Sequence, residues 1–106
     1  MSSAGGFVAV LVIDLHFPDA DSLKGKRKQL SSIKAQLHGR LGAAVSETDH
    51  QDLWQRATLT ASLTGGSLRR LSAAADELER WVLARCPEGA RVERLVASVE
   101  DLRGAG

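Results

Sequence analysis

A chain of 106 residues with 43% apolar and 25% charged residues is expected to form one globular domain, 1–106, long enough to bury roughly 65% of its unfolded surface around a single core. Fourteen basic residues against thirteen acidic ones leave a net charge of +1, which argues against a wholesale polyanion binder and turns attention to how the charge is distributed. A single cysteine, Cys86, excludes an intrachain disulfide and fits a reducing compartment, so a cytoplasmic location is expected.

Met1 to Gly6 is small and polar and is expected to be loose, with order over about residues 7–101. Phe7 to Phe17, FVAVLVIDLHF, is rich in β-branched residues and predicts a central strand ended by Pro18. No positive charge precedes its apolar run, and Asp14 closes that run, so neither an export signal nor a membrane span is predicted. Phe7, Ala9, Leu11, Ile13, Leu15 and Phe17 form the parity expected in the core. Val8, Val10, Val12, Asp14 and His16 form the other, apolar at its start and polar at its end. Such a face fits a sheet partly covered by another subunit, and three valines also simply suit a strand.

Asp21 or Ser22 can cap a first helix, along which Leu23, Leu30, Ile33, Leu37 and Leu41 recur at helical spacing down to Gly42. No acidic residue falls between Ser22 and Ser46, whereas Lys24, Lys26, Arg27, Lys28, Lys34 and Arg40 do. The macrodipole disfavours cations in the first turns, while the free amides there attract anions, so the run reads either as an anion-binding face or as a solvated one. Arg27, on the line from Leu23 to Leu30, also fits a residue that covers the core with its stem.

Ala43 to Thr48 predicts a weak edge strand. The polar loop of His50, Gln51, Asp52, Trp54, Gln55 and Arg56 follows, then a strand to Thr64 with Ala57, Leu59, Ala61 and Leu63 on one parity. Gly65-Gly66 is a turn and Ser67 an N-cap. Leu68, Leu71, Ala75, Leu78 and Val82 form the stripe of a second helix stopped by Pro87 and Gly89. Arg91 to Glu100 suits helix or strand; strand completes two βαβ units, an α+β ferredoxin-like βαββαβ sandwich with a four-stranded antiparallel sheet and two helices on one face. Residues Gly104 to Gly106 are expected to fray. This topology gathers His16, the Lys24–Lys28 helix start, the His50–Arg56 loop and the Cys86–Arg91 connection at one end of the domain.

VIDLHFP at 12–18, SLKGKRK at 22–28 and HQDLWQRATL at 50–59 resemble the YlxP-like family of small bacterial proteins, a family of unknown function, across about residues 7–100. The resemblance implies the ferredoxin-like fold and self-association. Because genes of the family lie beside those for transcription elongation, translation initiation and ribosome-binding factors, it also implies a role near RNA or ribosome assembly. Val12 stands where relatives often carry an acid, making the outer sheet face more apolar. Gly25 stands where a charged helix residue is expected and costs about 1 kcal/mol of helix propensity.

A metal or proton-relay site would draw on Asp14, His16, Asp49, His50 and Asp52, but no diagnostic spacing such as HExxH, CxxC, GxSxG or a P-loop occurs, and no cofactor or catalytic residue is assigned. Cys86 reads as a half-buried structural thiol. The expectation is a non-enzymatic accessory protein that binds RNA or a ribosomal subunit. Lys24, Lys26, Arg27 and Lys28 would contact phosphates, solvent-reachable and close to His50, Gln51, Trp54 and Arg56, with Trp54 stacking on a base. Against it stand the scarcity of aromatic residues and the lack of an RNP-like pair; Trp54 equally suits a plug for the sandwich's open end. The alternative expectation is a homodimer that joins through Val8, Val10, Val12 and Val96.

Overall fold

The computed structural model describes residues 5–87 and 89–105. Four strands, β1 (Phe7–His16), β2 (Ala44–Asp49), β3 (Arg56–Gly65) and β4 (Ala90–Ser98), lie in the order β2-β3-β1-β4, each antiparallel to its neighbours. Helices α1 (Leu23–Gly39) and α2 (Leu68–Arg85) are the crossovers of two βαβ units, giving the ferredoxin-like sandwich; α3 (Val99–Gly104) follows β4.

The period-2 pattern of β1 sorts as its sequence requires. Ala9, Leu11, Ile13 and Leu15 are buried under the helices, with Ala57, Leu59, Ala61 and Leu63 beside them on β3. Leu30, Ile33 and Leu37 of α1 and Leu71, Ala75, Leu78 and Val82 of α2 complete the core. Ser22 caps α1 by accepting from the Gly25 amide at 3.0 Å, and Ser67 caps α2 by accepting from the Arg70 amide at 3.2 Å. The first helix stops at Gly39, and Gly42 takes the left-handed conformation at φ 72° that turns the chain into β2.

Four features differ from the expectation. The buried stripe of α1 runs Lys26, Leu30, Ile33, Leu37, not through Leu23, which is exposed; Arg27 is exposed too. The stripe of α2 likewise begins at Leu71, leaving Leu68 outside. The last strand ends at Ser98 and not at Glu100, because Ser98 and Asp101 form a reciprocal capping box that starts α3. Gly104, expected to fray, is the last residue of that helix; Gly106 and residues 1–4 lie outside the described residues.

Register also moves one interface residue. Val8, Val10 and Val12 stand opposite Ala97, Leu95 and Glu93, so Leu95 shares the helix-free face with the valines. Val96 stands opposite Ala9 on the helix side and does not belong to that face. Its neighbour Arg94 confirms the parity, since it reaches Asp76 at 2.9 Å and Glu79 at 3.1 Å on α2.

Candidate nucleic-acid interface

The end of β1, the start of α1, the β2–β3 loop and the α2–β4 connection meet at one end of the sandwich. The chain ties them by backbone bonds: Phe17 N–H donates to the Gln55 carbonyl at 2.8 Å, and His16 N–H to the Gly89 carbonyl at 2.9 Å. Gln55 adds two longer side-chain bonds of 3.4 Å to the carbonyls of Pro18 and Ala20.

Lys26 is the centre of this end, and in a different role from the one expected. Its side chain is 1% exposed, so it is not solvent-reachable. The ammonium donates to the carbonyls of His50 at 2.7 Å, Gln51 at 3.5 Å and Leu53 at 2.5 Å, and lies 3.5 Å from Glu47 Oε2. An interior cation is tolerated only where its three donors find acceptors, and the loop carbonyls together with Glu47 provide them. Charge reversal at Lys26 is therefore no neutral surface change, because it would place a carboxylate among these carbonyls. The loop in turn is fixed: His50 sits at φ 62°, its amide accepted by Asp49 Oδ1 at 2.7 Å.

Outward from this anchor, the loop displays Leu53, 45% exposed, and Trp54, 50% exposed. Trp54 is thus no core plug. Lys24, Arg27 and Lys28 are exposed on α1, with Arg27 and Lys34 flanking a groove of about 190 Å³ shared with Glu47 of β2.

The remaining expected members turn to the other side of the sheet. Arg56 pairs with His16 across β3 and β1 on the helix-free face. Thr58 Oγ1 donates its one proton to Asp14 Oδ1 at 2.7 Å, so the 2.9 Å approach of His50 Nδ1 makes that nitrogen the donor. His50 Nε2 is left toward Asp49 Oδ2 at 4.0 Å. Among the described residues no three His, Cys, Asp or Glu side chains gather into a metal-binding group.

The expected cluster is therefore divided around a fixed loop: Lys26 lies inside it and Trp54 is displayed by it, Lys24 and Lys28, each two residues from Lys26, project from the opposite side of α1, Arg27 lines the groove toward Lys34, and Arg56 and the His50 ring lie on the sheet side. Sequence reasoning brought the Cys86–Arg91 connection to this end but gave Arg91 no role; register sets it opposite Asp14 on that same face. The signal for it was the parity of β4, which a segment equally suited to helix and strand does not disclose. Cys86 is half-buried, and burial pushes its thiol above the ordinary value while the Arg85 charge pulls the other way. No helix among the described residues is long and apolar enough to cross a membrane.

The family described as a protein of unknown function, DUF503, matches residues 8–100. An uncharacterized protein, YlxP, of Bacillus subtilis (strain 168) is 32% identical over 82 residues, covering 77% of this chain and 85% of its own. Among solved structures, the de novo designed protein Foldit4 is similar in fold at a TM-score of 0.59 and 9% identity, over 87% of this chain and 96% of its own. The de novo designed protein LFR1 1, with ferredoxin fold, has a TM-score of 0.40 and 14% identity, over 85% and 83% of the two chains.

Proposed function

We propose, for a chain that belongs to the DUF503 family of proteins of unknown function, a non-enzymatic accessory role: binding RNA, or a ribosomal subunit in assembly, in the cytoplasm. The observation that carries this reading is Trp54, half-exposed on a loop whose carbonyls the buried Lys26 ammonium holds. Adjacent apolar side chains, Leu53 and Trp54, shown to water on a pre-ordered loop suit a contact role. Exposed cations stand at the start of α1, at the same end of the domain, and a stacking platform together with phosphate-binding cations is what unpaired RNA requires. Lys26 supports the surface by ordering it, while Lys24, Arg27 and Lys28 meet the phosphates.

Co-sedimentation with ribosomal subunits at low and moderate salt, together with titration of isolated single-stranded RNA, tests the reading. Salt-sensitive association that weakens in a Lys24→Glu, Lys28→Glu double variant is expected. Absence of binding to both subunits and RNA at low salt would overturn it.

A second reading has its own observation. Leu95, half-exposed, lies beside Val10 on the helix-free face, extending Val8 and Val12 into one apolar patch. That patch supports self-association through the sheet, with Leu95 in the place expected for Val96, and it leaves the Trp54 rim uncovered because the valines lie toward the other end of β1 from His16.

A further inference from the structure

At the end of the helix-free face, a shallow depression of about 300 Å³ is lined by Asp14, His16, Arg56, Gly89, Ala90 and Arg91. Its construction is local and specific. Gly89 lies so close to β1 that a Cβ there would come within 2.8 Å of His16 Cβ, so only glycine lets the α2–β4 connection close down on the strand end and form the far wall. Arg56 on β3 stands opposite His16 and Arg91 on β4 opposite Asp14, so the two flank β1 diagonally, roughly 12 Å apart at the backbone, within reach of one group held between their long side chains. Both are exposed, and among the described residues neither has an ion-pair partner. His16 stands between them on the same parity. Asp14 is already oriented by the Thr58 hydroxyl at 2.7 Å, which occupies one of its oxygens.

We infer that this depression binds a sugar phosphate. The two guanidinium forks take the phosphate oxygens, with His16 as a third donor. The free oxygen of Asp14 accepts from a sugar hydroxyl beside the phosphate. An acid in the middle of an anion site is unfavourable for a bare phosphate and useful for a hydroxylated ester, which identifies the class. A depression of about 300 Å³ has room for one such unit. A sugar phosphate occurs both as a small metabolite and as the repeating unit of an RNA backbone. The inference shares Arg56 with the RNA reading above but does not rest on it, since a small ester would engage the same groups.

The test is a titration of the whole chain, followed by amide chemical shifts, with ribose 5-phosphate, with inorganic phosphate and with a short oligouridylate. Ribose 5-phosphate should shift the amides of Leu15, His16 and Gly89 to Arg91, and bind more tightly than inorganic phosphate. Replacing both arginines, Arg56→Gln with Arg91→Gln, should weaken it about tenfold or more while the remaining spectrum stays native. Changing Arg40→Gln, exposed at the far end of α1, should not. Asp14→Asn should tighten inorganic phosphate and remove the advantage of the sugar ester. Shifts with ribose 5-phosphate alone identify a small ligand, and shifts with both it and the oligouridylate identify backbone binding; either supports the site. Shifts that are absent, or that persist in the Arg56 and Arg91 variant, overturn it.

Discussion

The Lys26 ammonium lies 2.7 Å from the His50 carbonyl oxygen, so the most interior cation of α1 holds the backbone of the β2–β3 loop and no external anion. Replacing it by Met, which keeps the apolar stem, should leave the carbonyls of His50 and Leu53 and the Glu47 carboxylate without their donor. A loss of about 3 kcal/mol of stability is expected, read as a lower urea midpoint at unchanged slope. Lys24→Met and Lys28→Met, on the exposed side of the same helix, should stay within about 0.5 kcal/mol of the native protein.

Trp54 separates binding from folding. Trp54→Ala should change stability by less than about 1 kcal/mol, well short of the roughly 3–5 kcal/mol that a core tryptophan costs. It should remove roughly 1–3 kcal/mol of RNA-binding free energy if one base stacks on the ring. Parallel urea denaturation and RNA titration of the variant check both halves.

The register of β4 makes adjacent residues behave differently. Leu95→Lys places a charge in the centre of the valine patch and should convert a dimer to a monomer in light scattering after size exclusion. Val96→Lys, on the helix side of the sheet edge, should leave the molar mass as it was. A native chain that stays monomeric at high concentration removes the self-association reading.

Gly89→Ala should cost about 1–3 kcal/mol, since its Cβ would press on His16 at 2.8 Å and the strand end or the connection must move. Thermal unfolding measures the loss. The amide of His16, bonded to the Gly89 carbonyl at 2.9 Å, should exchange faster.

The α3 cap carries a pH signature. Hydrogen bonds from Ser98, the backbone N–H first and the side chain second, hold the Asp101 carboxyl below its ordinary value of 3.8. A carboxyl depressed in the folded state contributes above its unfolded value, and that contribution is lost as pH falls through the folded one. Nothing should change near neutrality. The Ser98 amide shift should move only at acid pH, with a midpoint below 3.8.

Much of this was legible in the sequence because β1 and β3 alternate with almost no exception, and alternation fixes a face. Ser22, Ser67 and the Gly65-Gly66 turn signalled their ends through side-chain chemistry that acts within a few residues. What escaped depends on partners distant in the chain. A lysine among lysines gives no local sign that it will be buried, and Lys26 becomes interior only because the loop carbonyls, 24 to 27 residues on, need a donor. Val96 and Arg91 were obscured for the related reason that Arg91 to Ser98 fits two periods, and only pairing with β1 assigns each residue a side. The Ser98–Asp101 box was present as a local signal, outweighed by the β-branched run before it.

The irregularity between Glu47 and Asp49 on β2 has a bearing on how the molecule avoids its own kind. An outermost strand with a straight ladder of unpaired amides is a template for another chain's strand, and a long array of such pairings ends in aggregate. Here the outermost strand has six residues and loses its regular spacing at the very end that carries the binding rim. The opposite margin, β4, carries Arg91, Glu93 and Arg94 in close succession. Sheet extension is thereby discouraged at both margins, and association with another molecule is directed to the faces and the rim.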